Sequence, residues 1–226
     1  RRASLEPQTL TSLPSIVVPF GGGGGFYIAA YDYRQAYANM GKKAAQLTRK
    51  ASEKGGYEAS CGILFQENFM RQKGALDAFI AAFSDGFASD AGDIAGEGEK
   101  PLVVDVLEGE ELKLDPAGAT KAAIAAITGK KGISVVVLAI DDAAAAEAAA
   151  AMVAAAGATD IVFMADLSAW GDRKPAPGHF AYGIQGDEKE LARAVIGMSK
   201  DIARGRKVEP IREVPLRFGR LFPGIF

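Results

Sequence analysis

Residues 133–157 read ISVVVLAIDDAAAAEAAAAMVAAAG. The first part is a continuous apolar run rich in β-branched residues, which is typical of a strand buried on both faces of a sheet. Two aspartates follow, and then an alanine-rich stretch of high helix propensity that ends at Gly157. A buried strand followed by a helix is the repeating unit of a parallel α/β sheet.

The same alternation of strand and helix continues along the chain. The pattern predicts strands at 15–20, 61–65, 102–107, 133–140, 160–164, 179–184 and 211–218, and helices at 37–54, 71–85, 116–129, 143–157 and 188–205. The glycine-rich segment 84–100 is longer than a usual connection and is predicted to be a mobile surface loop. The predicted fold class is therefore α/β, with a parallel sheet covered by helices on both faces and joined by right-handed crossovers.

The composition excludes several classes of protein. The chain has 226 residues, with 26 Lys and Arg against 28 Asp and Glu, so it lacks the basic field needed for direct nucleic-acid binding. The single Cys61 excludes an internal disulfide, and the single His179 cannot build a histidine metal site. No apolar stretch approaches the roughly 20 residues that cross a bilayer. The sequence predicts no metal and no cofactor.

Asp141 and Asp142 stand where a predicted strand passes into a helix. Ligands of open parallel sheets bind outside the carboxyl ends of the strands, at the start of the following helices. One aspartate is predicted to cap the helix, because its carboxylate accepts the unpaired amides of the first turn. The other is then left to face a ligand, and the sequence does not decide which of the two it is.

The other strand ends carry a mixture of amide, carboxylate, guanidinium and aromatic side chains. This mixture suits a polar ring, which needs hydrogen bonds at its edge and a stacking partner on its apolar face. Glu67, Ser168 and Asp187 are interpreted as solvated loop residues or helix caps, and Phe69 and Trp170 suit core packing as well as ligand stacking. The groups at these ends are Gln66, Asn68, Phe69 and Arg71, then Asp166, Ser168 and Trp170, and finally Gln185 and Asp187.

Catalytic motifs do not fit the sequence. The glycine run at 21–25 is followed by Phe26 where a dinucleotide fingerprint needs glycine or alanine, and no acidic residue closes a second strand about 20 residues on. The run is interpreted as a flexible connection. A Walker loop and a nucleophile elbow are both missing, and the acidic pair comes too late in the chain for a response-regulator receiver.

Several sequence blocks together resemble the second lobe of type I periplasmic binding proteins and of LacI-type regulators. Arg71, Gly74, Ala78 and Phe79 form R-x-x-G-x-x-x-A-F, and Gly41 with Ala44–Ala45 resembles the family's G-x-x-A-A-x-x-L helix. The other blocks are 138–157, 160–166 and 182–198. The resemblance covers about residues 26–218 and implies two α/β lobes, joined by hinge strands, that close around a small polar solute.

The resemblance implies a set of ligand-binding residues and no catalytic residue. Ala165 departs from the family, which often has glycine before the aspartate. Phe69 and Trp170 join the predicted site as stacking residues. The positions that match family ligand contacts are Asn68, Arg71, Asp141 or Asp142, Asp166 and Gln185.

The resemblance also divides the chain into three parts. Residues 1–25 are a remnant of the first lobe or a linker, residues 26–218 are the ligand-binding lobe, and residues 219–226 are a tail. Most of the first lobe is missing, so helix 188–205 is expected to expose an apolar face for that lobe or for a partner chain.

The implied function is that of a solute-binding protein, periplasmic or membrane-anchored outside the cytoplasm, which serves an ABC-type uptake system or a receptor. Its expected partners are a sugar or nucleoside solute and a membrane permease or chemoreceptor. Two alternatives stay open, the effector-binding core of a LacI-like regulator and a nucleotide-dependent α/β enzyme.

Overall fold

The computed structural model describes residues 15–19, 26–66, 73–88, 101–156, 160–168 and 180–221. These residues form two sheets and six helices. The strands are β1 (Ser15–Pro19), β2 (Phe26–Asp32), β3 (Ser60–Gln66), β4 (Leu102–Leu107), β5 (Ile133–Ala139), β6 (Val162–Asp166), β7 (Tyr182–Gln185), β8 (Ile211–Pro215) and β9 (Arg217–Arg220). The helices are α1 (Arg34–Gly55), α2 (Lys73–Ala88), α3 (Glu110–Leu114), α4 (Pro116–Thr128), α5 (Ala143–Ala156) and α6 (Glu188–Ala203).

The main sheet has the strand order β4-β3-β5-β6-β7-β9, and all its strands are parallel except β9, which is antiparallel to β7. Every residue of β5 is buried. Val135, Val137 and Ala139 pack with α1 and α2, whereas Val136 and Leu138 pack with α4 and α5. Because both faces of β5 are covered, the strand reads as one continuous apolar run, and the predicted fold class is confirmed.

Helices α1 and α2 lie unusually close to each other. A Cβ atom at Gly41 would clash with the carbonyl oxygen of Phe79, and one at Gly86 would lie 3.2 Å from the Ala45 Cβ. Small residues on both helices therefore allow the two backbones to approach, which explains the glycine and alanine positions that the sequence analysis singled out in α1.

The second sheet is small, with the order β1-β2-β8. β1 is antiparallel to β2, and β8 is parallel to it. The sequence did not predict β2, because its run of small and aromatic residues follows five glycines, and one of its two pairing partners, β8, lies far away in the chain. The prediction of one strand over 211–218 is also wrong, because the chain passes at Leu216 from β8 in the small sheet to β9 in the main sheet.

Helix α6 packs on the small sheet through an apolar face. Leu191, Ala194 and Met198 are buried in the same core cluster as Tyr31 of β2 and Val214 of β8. The expectation that this face is left for another lobe or a partner chain is therefore wrong, because residues of this chain cover it. Ile196, on another side of the helix, is 53% exposed.

Within the ranges given above, no helix is both long and apolar enough to cross a membrane.

Candidate functional site

Side chains from four adjacent strands meet at one edge of the main sheet. Gln66, Asp166 and Gln185 are the last residues of β3, β6 and β7, and Asp141 and Asp142 follow the end of β5. These strands are parallel neighbours, so their carboxyl ends share an edge. We refer to Gln66, Asp141, Asp142, Asp166, Ser168 and Gln185, together with Tyr33 and Tyr37 of the facing segment, as the strand-end site.

Asp142 caps helix α5. Its Oδ1 atom accepts hydrogen bonds from the backbone amides of Ala144 and Ala145, each at 2.9 Å. The turn before the helix is held by Gln66, whose Oε1 accepts the amides of Asp141 at 3.2 Å and Asp142 at 3.0 Å. The buried amide side chain at the end of β3 thus orients both aspartates.

Asp141 is the aspartate that does not cap. Its Oδ1 atom is buried and has no hydrogen-bond partner among the residues that the structure describes. Burial raises the pKa of this carboxyl; the nearby backbone amides of Asp141 and Asp142 oppose the increase, and the charge of Asp142 adds to it. A buried carboxylate oxygen without a donor is costly, so a donor group placed beside Oδ1 would lower the free energy of this turn.

Asp166 is fully buried and holds a small network of hydroxyl groups. Its Oδ2 accepts from the Tyr37 hydroxyl at 3.0 Å. Its Oδ1 accepts from the Ser168 amide at 2.9 Å and from the Ser168 hydroxyl at 2.6 Å. Burial raises the pKa of the carboxyl to about 6, although the Ser168 and Tyr37 hydrogen bonds oppose this increase, and Asp141 reinforces it. Ser168, interpreted from sequence as a loop or cap residue, is therefore part of the site.

Tyr33 and Tyr37 are the residues that the sequence analysis missed. Both come from the junction of β2 and α1, and both are buried. The Tyr33 hydroxyl lies 3.2 Å from the Ser168 hydroxyl, and the two tyrosine rings are 6.4 Å apart at their centroids. Burial, followed by the charge of Asp166, raises the pKa of Tyr37. The available signal was the segment 31–37, YDYRQAY, which places three tyrosines at the start of a helix.

The end of β7 contributes an exposed amide and a second helix cap. Gln185 is exposed, and Asp187 caps α6 by accepting the amides of Lys189 and Glu190. A Cβ atom at Gly186 would lie 2.9 Å from the Tyr31 ring, so glycine lets β2 approach this strand end. The small sheet therefore lies directly against the strand-end site.

Three connections between the two sheets are described: the chain leaves β2 for α1 and the main sheet at Tyr33, returns from β7 through α6 to β8 after Gly186, and passes from β8 to β9 at Leu216. An ion-pair network links β2 and β8 beside the first and third connections: Arg34 donates to Asp32 at 3.5 Å and to Glu213 of β8 at 3.2 Å. The Arg34 side chain is 62% exposed, so these pairs contribute little to stability and are easily rearranged.

Four of the predicted ligand-binding residues, Asn68, Phe69, Arg71 and Trp170, lie outside the described residues, and so does His179. Their role stays a prediction. Asp141, Asp142, Asp166 and Gln185 are brought to one edge of the sheet as the site requires, but their contact with a ligand also stays a prediction.

The described part of the site is rich in carboxylate, amide and hydroxyl oxygens. Among these residues, no group of three or more His, Cys, Asp or Glu side chains is placed to hold a metal ion. Burial raises the pKa of the Cys61 thiol, which makes it an unreactive core residue. The arrangement is suited to accepting hydrogen bonds from a bound molecule.

The fold was compared with solved structures. An ABC transporter solute-binding protein from Aeropyrum pernix K1 aligns with a TM-score of 0.54 and 14% identity, over 84% of this chain and 49% of that one. A solute-binding protein from Agrobacterium vitis with bound allitol gives 0.53 and 18%, over 85% and 61%. TorT, in its complex with the TorS sensor domain in the presence of TMAO, gives 0.55 and 16%, over 85% and 56%.

The chain therefore has the fold of a type I periplasmic-binding-protein lobe and spans about half to three fifths of the length of these structures. No protein-family model and no curated protein sequence matches it.

Proposed function

We propose that the chain is the ligand-binding lobe of a solute-binding protein, and that it binds a small polar solute such as a sugar or nucleoside without chemical change. The observation that carries this proposal is the buried Oδ1 of Asp141, which has no hydrogen-bond donor among the described residues and lies at the carboxyl edge of a parallel sheet, where ligands of such sheets bind. A solute hydroxyl or amine would supply the donor that this oxygen lacks.

The chemistry of the site favours a solute that donates several hydrogen bonds. Asp141 Oδ1 is a buried acceptor without a donor among the described residues, and a ligand that leaves such a group unpaired loses about 1–3 kcal/mol. Asn68 and Arg71 are expected to add donors, and Phe69 and Trp170 are expected to stack on the apolar face of the solute ring. A dissociation constant near 1 μM, about −8 kcal/mol, suffices for a receptor that must release its cargo.

The arrangement of the two sheets supports a closing motion. The small sheet, with α6, is joined to the main sheet by the three connections at Tyr33, Gly186 and Leu216, beside the strand-end site. Bending at such passages lets two bodies close around a ligand and presents a changed surface to a partner. We expect that partner to be a membrane permease, which places the protein outside the cytoplasm.

The similarity to TorT, solved in complex with a sensor domain, supports a second version of the proposal. In this version the occupied lobe is recognised by a receptor instead of a permease. The solute site is the same in both versions, and only the partner differs.

Isothermal titration calorimetry with aldoses, alditols and nucleosides tests the proposal, with NAD and ATP included for the enzyme alternative. Asp141→Ala and Arg71→Ala should each weaken binding of the active solute by about tenfold or more, which corresponds to about 1.4 kcal/mol. Asp201→Asn is the control, because Asp201 pairs with Arg206 at the carboxyl end of α6. Binding of NAD or ATP alone would favour an enzyme, and unchanged affinity in both variants would show that the site is assigned wrongly.

A further inference from the structure

We propose that Asp166 is a positioning residue, which fixes the β2–α1 junction to the end of β6 and does not itself touch the solute. This inference rests on the proposed function. It differs from the role that the sequence resemblance implies, in which the aspartate at this position contacts the ligand.

The first argument is that the chain itself occupies the carboxylate. Tyr37 donates to one oxygen, and the amide and hydroxyl of Ser168 both donate to the other, at distances of 2.6 to 3.0 Å. The side chain has no solvent exposure. Oδ1 is thus fully engaged, and a solute could reach the remaining acceptor site of Oδ2 only by displacing the side chains that bury it, so any gain from this contact would be offset by lost packing and hydrogen bonding.

The second argument concerns what the carboxylate holds. Tyr37 is 129 residues away in the chain and lies in the first turn of α1, directly after the passage between the sheets. Ser168 carries the network on to Tyr33, the residue that precedes α1. The acceptor at the start of α1 is Asp32 of β2, which accepts the Arg34 amide at 3.0 Å and belongs to the small sheet, so the hydroxyl contacts to Asp166 and Ser168 are what link this junction to the main sheet by side-chain hydrogen bonds.

The consequence is that Asp166 controls the geometry of the site indirectly. If the network is lost, the junction carrying Tyr33 and Tyr37 is released from β6, and the small sheet no longer meets the strand-end site at a defined angle. Asn at this position keeps an acceptor for Ser168 and a polar group for Tyr37, whereas Ala keeps neither.

The test combines solute affinity with hydrogen exchange in the full chain, measured for wild type, Asp166→Asn, Asp166→Ala and Tyr37→Phe, with Asp201→Asn as control. The solute is the tightest-binding member of the aldose, alditol and nucleoside panel. Asp166→Ala should speed amide exchange over residues 33–37 by about tenfold and weaken the solute by about tenfold. In Asp166→Asn, the exchange rate over residues 33–37 and the solute affinity should both stay within about threefold of wild type, because asparagine keeps the hydrogen-bond network.

Two results would overturn the inference. One is an equal loss of affinity in the Asn and Ala variants with exchange at 33–37 unchanged, which would mean direct contact between the charged carboxylate and the solute. The other is unchanged exchange in Asp166→Ala or, if that variant does not fold, in Tyr37→Phe. If no panel member binds wild type, the proposed function fails for these solutes, and the exchange data alone decide the positioning role.

Discussion

Asp141 and Asp142 are neighbours in the chain, but their carboxyl groups lie in different surroundings. Two helix amides bond to Asp142, whereas an oxygen of Asp141 is buried without a described partner. Gln66, which comes from the adjacent strand, holds both backbone amides and so fixes which aspartate faces the helix. The same residue type therefore serves stability at one position and is available for a ligand at the next.

Separate replacement of Asp141 and Asp142 should show that only one of the two carboxyl groups stabilises the helix. Asp142→Ala is expected to lower the free energy of unfolding by about 1 kcal/mol, because it removes a helix cap. Asp141→Ala is expected to change it by less than about 0.5 kcal/mol, because the cost of burying an oxygen without a described donor offsets what the carboxyl gains from the nearby backbone amides. Urea unfolding at pH 7 measures both, with Asp115→Ala, which removes the cap of α4, as the reference for a lost cap. Equal losses at 141 and 142 would contradict this assignment.

The buried Asp166 should make stability depend on pH. Its pKa is raised by burial from 3.8 to about 6, so the folded chain holds the proton more tightly than the unfolded chain. The resulting stabilisation is fully present below about pH 4 and is lost as the pH rises through about 6, with a total on the order of 3 kcal/mol. Asp166→Asn has no carboxyl to titrate and should lack this pH-dependent stabilisation. The free energy of unfolding of the wild type, measured relative to that of the variant, should therefore fall between pH 4 and pH 7. A difference that stays constant or rises over this range would show that the carboxyl is not held as described.

At the scale of helices and strands, the sequence predicts those elements whose position depends on the local hydrophobic pattern. The strand at 102–107 agrees with β4, and helices α4, α5 and α6 agree to within two residues, because buried strands and amphipathic helices carry their own periodicity. β2 pairs with the neighbouring β1 but also with the distant β8, and the division of 211–218 follows from the pairing of β8 with β2 and of β9 with β7. No local pattern reports these long-range pairings.

For the site residues, too, the sequence predicts what local pattern determines and misses what long-range contacts determine. Asp166 and Gln185 are predictable from the ends of β6 and β7, although the predicted strand 160–164 ended two residues before Asp166. Tyr37 meets Asp166, and Tyr33 meets Ser168, only because the chain passes from one sheet to the other at that point.

The close approach of α1 and α2 leads to a prediction about Gly41. In Gly41→Ala the new methyl group would overlap the Phe79 carbonyl, a backbone atom that cannot rotate away. We expect the free energy of unfolding to fall by about 1–3 kcal/mol, as in other overpacked cores. Thermal and urea unfolding followed by circular dichroism measure this. Gly219→Ala is the matched control, because a Cβ atom there meets open space, and a similar loss in both variants would mean that packing is not the cause.

At the scale of the molecule, the two sheets share one hydrophobic core. The cluster that contains Val135 and Val137 of β5 also contains Tyr31 of β2 and Val214 of β8. Leu191 of α6 belongs to the same cluster. Because apolar contacts run without interruption from one sheet to the other, the small sheet is an integral part of the folding unit. The proposed closure around a solute must then occur by local bending at the connections between the sheets, and it does not require the small sheet to unfold independently.

Val214→Ala tests whether the sheets unfold together. The side chain is 4% exposed, and its truncation should cost about 2 kcal/mol. If the shared core makes unfolding cooperative, amides of β5, in the other sheet, should exchange about 30-fold faster, the factor that corresponds to 2 kcal/mol. Val153→Ala is the control, since Val153 is equally buried in the opposite layer, between the main sheet and α5, and its loss should speed exchange in both sheets alike. Faster exchange confined to β2 and β8 in Val214→Ala would instead show that the small sheet opens by itself, and the hinge would then lie in the core between the sheets.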